Sequence, residues 1–263
     1  MSVRLVQCRS ALSRSRLPGL DWALNPYRGC GHACAYCYAQ DVTRFEIGRP
    51  WGESIEVKVN IVQRLKRELE SRVEGVYGIG TVTDPYQPIE KEYELTRGSL
   101  SLLKRSGARI SVLTKSDLVL RDADLLRSWD DAEVGMSISC LDDSIARIVE
   151  PRAPPPRRRL HALADLSSDG VSTYLMFAPI VPGLGDSDED LREVVREAKE
   201  ASVKSIMWDG FNPKPIALTR LNTALLEHGM EPRGAFSCSD TSRIRSVLMK
   251  EGSSQGIRVD DAF

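Results

Sequence analysis

Cys30, Cys34 and Cys37 put three thiols within eight positions, spaced C-x3-C-x2-C in the stretch "RGCGHACAYCYAQ". Thiolates suit zinc and iron–sulfur clusters. A structural zinc takes four ligands, usually from two separated pairs. Here the only nearby fourth ligand would be His32, flanked by two of the cysteines, and no second C-x-x-C occurs in the chain. Closing a tetrahedron inside so short a loop is strained, so His32 reads as a loop residue. A [4Fe–4S] cube fits better: three corners are bound and one iron stays open for a substrate or cofactor. A structural or electron-transfer metal site is the reading the spacing leaves beside it. The remaining cysteines, Cys8, Cys140 and Cys238, stand alone and read as small hydrophobes. Cys140 ends the run "MSISC" near the expected site, which makes it the one catalytic candidate; the catalytic group is otherwise unassigned.

Such a loop needs a scaffold, and from about residue 57 onward the apolar pattern alternates between helical and strand periods. "GVYGIGTV", "RISVLT", "EVGMSIS", "VSTYLMFAPIV" and "VKSIMW" read as strands. Helices fall between them, the clearest being "EDLREVVREAKEA", with Leu191, Val194, Val195 and Ala198 on one face. A short first strand at residues 22–24 completes about six parallel βα units. Six units are too few for the closed eight-stranded barrel. The expected fold is therefore α/β, a partial, open (β/α)6-type parallel barrel, with a doubly wound sheet as the alternative. Residues 1–20 form an N-terminal extension, 21–212 the barrel, and 213–263 a helical cap and polar tail of the same domain. Cys30, Asp84, Lys115 and Ser137 all fall at carboxyl ends of strands, where sites of such folds lie.

Composition narrows the setting. The chain has 263 residues, 41% hydrophobic and 28% charged, with a formal net charge of −1. That balance gives no general pull toward nucleic acid or anionic membrane. The N-terminus lacks a continuous apolar stretch and no run spans a bilayer, so a cytoplasmic location is expected. There, clustered cysteines bind metal or act in catalysis more often than they form disulfides.

The motifs around the cysteines carry a resemblance. "NPYRGCGHACAYCYA", "TVTDPYQPIE", "LTKS", "SIS", "EPRAP" and "APIVPG" follow one another over residues 24–185. This succession resembles the radical S-adenosylmethionine superfamily, in the branch similar to spore photoproduct lyase. The resemblance implies that Cys30, Cys34 and Cys37 ligate a [4Fe–4S] cluster whose open iron binds S-adenosylmethionine. It implies reductive cleavage of that cofactor to a 5′-deoxyadenosyl radical, which abstracts hydrogen from an unidentified substrate. By the same resemblance Thr83 and Asp84 meet the methionine end, Lys115 and Ser137 contact the cofactor, and Tyr36 lies beside its adenine. Tyr38 is a further wall of that pocket. An external one-electron reductant such as ferredoxin or flavodoxin would be the partner.

The pattern also departs from the lyase, whose branch carries a functional cysteine just before its serine–aspartate pair. Here Gly80, Thr81 and Val82 stand in that stretch, so the lyase's hydrogen-return step does not transfer. Besides the radical enzyme, two readings stand: a non-catalytic iron–sulfur electron carrier or sensor, and a DNA or nucleotide lesion lyase. The substrate is expected to be a small molecule or nucleotide-like. Nucleic acid is possible, but the net charge does not support it. The one local basic cluster, "EPRAPPPRRRLHA", reads as a solvated surface, and its Arg152 matches the family motif without an assigned role. Trp208, Asp209, Phe211 and Asn212 read as a wall of the substrate site, an apolar face with two polar groups, with a plug at the end of the core as the other reading of Trp208 and Phe211.

Overall fold

The computed structural model describes residues 1–46, 48–71 and 74–262. An eight-stranded sheet runs in the order β11-β10-β9-β8-β7-β6-β3-β2. Its members are β2 (Leu12–Arg14), β3 (Trp22–Leu24), β6 (Val76–Ile79), β7 (Arg109–Thr114), β8 (Ala132–Ile138), β9 (Ser172–Ile180), β10 (Ser205–Gly210) and β11 (Arg258–Asp261). Only β2 is antiparallel to its neighbour. The edges β2 and β11 do not pair with each other, so the barrel stays open. The six expected parallel strands are all present.

Five strands lie outside that expectation, β2 and β11 among them. β1 (Ser2–Val6) runs parallel to β5 (Ser54–Lys58), which also pairs antiparallel with β4 (Tyr27–Arg28). The N-terminal segment is thus woven into both sheets. At the other end, the stretch expected as a polar tail continues helix Cys238–Gln255 and then adds β11 as a seventh parallel strand. "RVDDA" carries a single β-branched residue, too little apolar alternation to read as a strand. Val259 nevertheless packs with Ile206 and Leu248.

Side chains alternate across the sheet as period 2 requires. Met136, Ile138, Leu175, Phe177, Ile206 and Trp208 face outward into a core closed by helices Asp188–Glu200 and Cys238–Gln255. The first helix starts at a capping box between Ser187 and Asp190. On the inner face, Tyr174 crosses the barrel over Gly135, where an added Cβ would meet the ring at 2.2 Å. Its hydroxyl lies 3.3 Å from Ser111 Oγ. This floor leaves the strands' carboxyl ends as the open mouth. Toward that mouth, Ser137, Met176 and Met207 are register partners on β8, β9 and β10.

Candidate active site

The cysteine loop leaves β4 and is held at both ends by side chains from distant segments. Thr83 Oγ1 donates to the Gly29 carbonyl at 2.6 Å. Gln87, fully buried, accepts from the Gly31 amide at 2.8 Å and donates to Thr83 Oγ1 at 2.9 Å. At the far end Arg220, on helix Pro215–Glu227, donates to the carbonyls of Ala35 (2.9 Å) and Cys37. A third bond reaches Gln40 Oε1 at 2.8 Å. Asp41 returns the contact by accepting from the Ile216 and Ala217 amides at that helix's start (2.9 and 3.1 Å). The tight loop bends at Gly29, whose φ is +82°, and at Ala33, with φ +57°. A side chain at Gly29 would strike the Ser54 carbonyl at 2.3 Å.

Asp84 sits in the turn after β6 with four groups around its carboxylate. Oδ1 accepts from the Tyr86 amide (2.9 Å) and Thr114 Oγ1 (2.6 Å), and Oδ2 from the Lys115 amide (2.7 Å). His32 Nε2 lies 3.3 Å from Oδ2 but is not aligned for a hydrogen bond. Burial alone would raise this carboxyl's pKa. The neighbouring imidazole and the bonds from Thr114 and the Lys115 amide outweigh burial and hold it at about 2. Asp84 therefore ties the cysteine loop, through His32, to the ends of β6 and β7. His32 is 1% exposed and its Nδ1 lies 3.3 Å from the Arg152 carbonyl. It is thus a buried brace, a role its place in a loop did not disclose.

A second buried carboxylate, Glu150 of "EPRAP", gathers the other expected residues. Its Oε1 accepts from Tyr36 Oη and from Ser139 Oγ (3.1 Å), with Lys115 Nζ 3.6 Å away. Oε2 accepts from Arg159 Nη2. Arg159 also donates to the Ser137 carbonyl at 2.9 Å. Burial opposes the charge on Glu150, but Arg159 and Lys115 prevail and hold its carboxyl at about 2. Thus Tyr36, Lys115, Ser137 and Ser139 converge on one polar knot beside the cysteine loop. Lys115 Nζ also stands 5.6 Å from the Tyr36 ring centroid. Tyr38 lies outside this knot, 41% exposed, with its hydroxyl on the Thr81 carbonyl.

Other expected residues lie elsewhere. Cys140 is buried, with its thiol toward the Asp142 carbonyl at 3.7 Å and its Cβ against Gly185. Burial and the nearby Glu150 charge push its pKa up to about 12. Arg152 turns away to Glu53 and to the Gly52 carbonyl. The basic cluster is internally matched: Arg157 meets Glu193 and Glu197, Arg158 meets Asp117, and Arg159 is buried on Glu150. Of the two readings of Trp208 and Phe211, the core plug replaces the substrate wall. Trp208 faces outward beneath the helices, and Phe211 packs behind Cys34, Ala35 and Tyr36. Both are core residues, whereas Asp209 is half-buried and Asn212 exposed.

Comparison with known proteins fixes the family. The family model described as the radical SAM superfamily matches residues 24–198. The chain belongs to the radical SAM superfamily. An uncharacterized protein of Methanocaldococcus jannaschii is 34% identical over 181 residues, covering 69% of this chain and 68% of that protein. An uncharacterized protein of Mycobacterium tuberculosis is 34% identical over 220 residues, covering 79% and 64%. The chain thus spans about two thirds of these relatives' length. A Pseudomonas phage M6 protein named a radical SAM Nα-GlyT isomerase is 26% identical over 166 residues, 62% of this chain and 34% of that protein. Among solved structures, a spore photoproduct lyase mutant superposes with a TM-score of 0.75 at 15% identity, covering 99% of this chain and 82% of that one. Streptococcus suis SuiB bound to S-adenosylmethionine gives 0.62 at 12%, covering 91% and 46%.

As a radical SAM protein the chain is an enzyme with an unassigned reaction, and its family implies S-adenosylmethionine and an iron–sulfur cluster. The donor set fits a cluster. Burial raises the pKa of all three thiols: Cys30 is pushed further by Asp84 and the other two thiols, and Cys34, beside Glu150, reaches about 12. Such thiols become thiolates when a metal binds them. Among the described residues no group of three or more His, Cys, Asp or Glu side chains is placed to hold one metal ion. In a cube each thiolate has its own iron, so the three need not converge on one point. Among the described residues no helix is long and apolar enough to cross a membrane.

Proposed function

We propose that this chain binds a [4Fe–4S] cluster through Cys30, Cys34 and Cys37 and S-adenosylmethionine at the open iron. The observation that supports this most is the convergence of Tyr36 and Lys115 with Ser137's strand on Glu150, directly beside the cysteine loop. When bound, the two groups supply a 5′-deoxyadenosyl radical for hydrogen abstraction from substrate. The protein's own part is positional. Lys115, 13% exposed at its side chain, offers a cation toward the cofactor's carboxylate. Thr83 Oγ1 and both Asp84 oxygens already serve the protein, so a direct cofactor contact by either would add to or displace those bonds. In this reading they keep the loop in place, while Ser137 and Tyr36 line the pocket and Tyr38 flanks it.

A ferredoxin or flavodoxin is the proposed reductant and a small molecule or nucleotide-like compound the proposed substrate. Six unpaired cysteines suit a reducing compartment, and we place the enzyme in the cytoplasm. A relative named as an isomerase and a fold neighbour named as a lyase leave the net reaction unassigned. The test is anaerobic reconstitution with iron and sulfide, reduction, and measurement of 5′-deoxyadenosine released from S-adenosylmethionine. A protein that loads a cluster yet never cleaves the cofactor would favour the electron-carrier reading.

A further inference from the structure

Arg220 is half-buried, and every group it hydrogen-bonds is neutral: the Ala35 and Cys37 carbonyls and Gln40 Oε1. Its guanidinium stands 5.4 Å from the Trp51 ring centroid. Trp51 is itself 8% exposed and packs in one cluster with Cys30, Ala39, Phe45 and the flank of Cys37. The nearest acid along the loop, Asp41, is committed to the helix amides at Ile216 and Ala217. Among the described residues no carboxylate lies within ion-pair distance of Arg220. A partly buried guanidinium with no carboxylate in contact, and only the Asp41 charge nearby, is costly to fold around. Something anionic belongs beside it, and the cysteine loop is what it grips.

We infer that Arg220 is a positioning and charge-tuning residue for the iron–sulfur cluster, its half-buried cation answering the negative charge of the thiolate-bound cube. The inference rests on the cluster reading above and extends it to helix Pro215–Glu227, beyond the residues matched by the family model. Two consequences follow from elementary electrostatics. A fixed cation stabilises the more negative, reduced cluster over the oxidised one, because charge and hydrogen bonding near the sulfurs set cluster potential. The two carbonyl bonds also fix the backbone at Ala35 and Cys37, and with it the direction of the last cysteine.

The experiment is spectroelectrochemical titration of the anaerobically reconstituted full chain, parent against Arg220→Gln and Arg220→Lys, without S-adenosylmethionine. Iron and sulfide are assayed alongside. Arg220→Gln should retain a cluster whose reduced-to-oxidised ratio at fixed ambient potential falls about tenfold, a shift of about 59 mV for a one-electron couple. Arg220→Lys should stay within about threefold of the parent. An Arg220→Gln cluster with the parental ratio overturns the inference while leaving the cluster assignment intact. Failure of the parent itself to load a cluster defeats the underlying assignment instead. If Arg220→Gln loads nothing, the lysine variant decides: restored loading upholds the charge requirement, and its loss as well overturns charge tuning in favour of the fork's geometry alone.

Discussion

Glu150 Oε2 accepts a charge-assisted hydrogen bond from Arg159 Nη2, and the two side chains are 1% and 0% exposed. Buried pairs of this kind contribute little net stability when intact, yet breaking one strands the other charge. Glu150→Ala should therefore destabilise the apoprotein by about 3–5 kcal/mol in urea unfolding. It should also free the Tyr36 hydroxyl. Glu150→Gln, which keeps the shape and loses the charge, should fall between. An alanine variant within about 0.5 kcal/mol of the parent would show that the knot is not structural.

Acid sensitivity follows from the same carboxylates. Glu150 and Asp84 are both held at about 2 in the folded protein, below the ordinary values of about 4 that an unfolded chain has. Their contribution is therefore complete above about pH 5 and is lost as pH falls from about 4 toward 2. Between them it is on the order of 5 kcal/mol, at about 1.4 kcal/mol per pKa unit. The urea midpoint of the apoprotein should drop steeply over that window, and less steeply in Glu150→Gln. Parallel curves for the two proteins would remove Glu150 from the account.

Much of the site was legible because its residues recur at strand ends in a chain with clear alternation. Cys30, Lys115 and Ser137 could each be placed from a local pattern of a few residues. The braces could not. Gln87 reaches back to Gly31, Glu150 to Tyr36, and Arg220 to Cys37. None of these pairs has a local periodicity to announce it, and Arg220 lies on a helix that reads only as a cap. The small sheet was missed for a similar reason. β5 has a clean alternation, but its partner β4 is only two residues long, and β1 is mostly exposed. The two readings of Trp208, wall or core plug, are left open by the sequence because its strand is legible but not its facing, and one step in register exchanges the two faces.

The cluster ligands give a colour test. Alanine at Cys30, Cys34 or Cys37 should abolish the brown chromophore of the reconstituted protein, while alanine at Cys8 or Cys238 should leave it. Iron content measured beside absorbance confirms the loss, and far-ultraviolet circular dichroism separates a lost cluster from a lost fold. A stable, colourless zinc protein with four identified ligands would end the cluster reading.

Lys115 tests the cofactor pocket. Its ammonium lies 3.6 Å from Glu150, which keeps Arg159 as partner when the lysine is removed. Lys115→Ala should therefore fold, yet lose on the order of 1–3 kcal/mol of S-adenosylmethionine binding, about 5- to 150-fold in Kd. Calorimetry on the reconstituted variant gives the number. Parental affinity would mean that the lysine serves only Glu150.

The last expectation concerns β10, where neighbouring residues part company. Trp208 faces the helix-covered core and Phe211 the back of the cysteine loop, each nearly fully buried. Met207 packs on the inner face with Tyr174 and Met176, and Asp209 follows two residues on, half-buried. The register with β9 shifts between Trp208 and Gly210, and such irregularities commonly re-aim a side chain at the rim of a barrel. Asp209 makes no ion pair among the described residues, and burial raises its carboxyl pKa. The two classes of residue should separate on mutation. Trp208→Ala and Phe211→Ala should each cost about 3–5 kcal/mol of stability through the cavities they leave. Asp209→Asn should fold and bind S-adenosylmethionine like the parent, because the change is isosteric and lies on β10, away from the Glu150 knot. If Asp209 faces substrate, the same variant should raise uncoupled 5′-deoxyadenosine release relative to product once a substrate is in hand. Thermal unfolding of the three variants can be measured now. An Asp209→Asn protein that melts as far below the parent as Trp208→Ala would make the carboxylate structural and move the substrate away from β10.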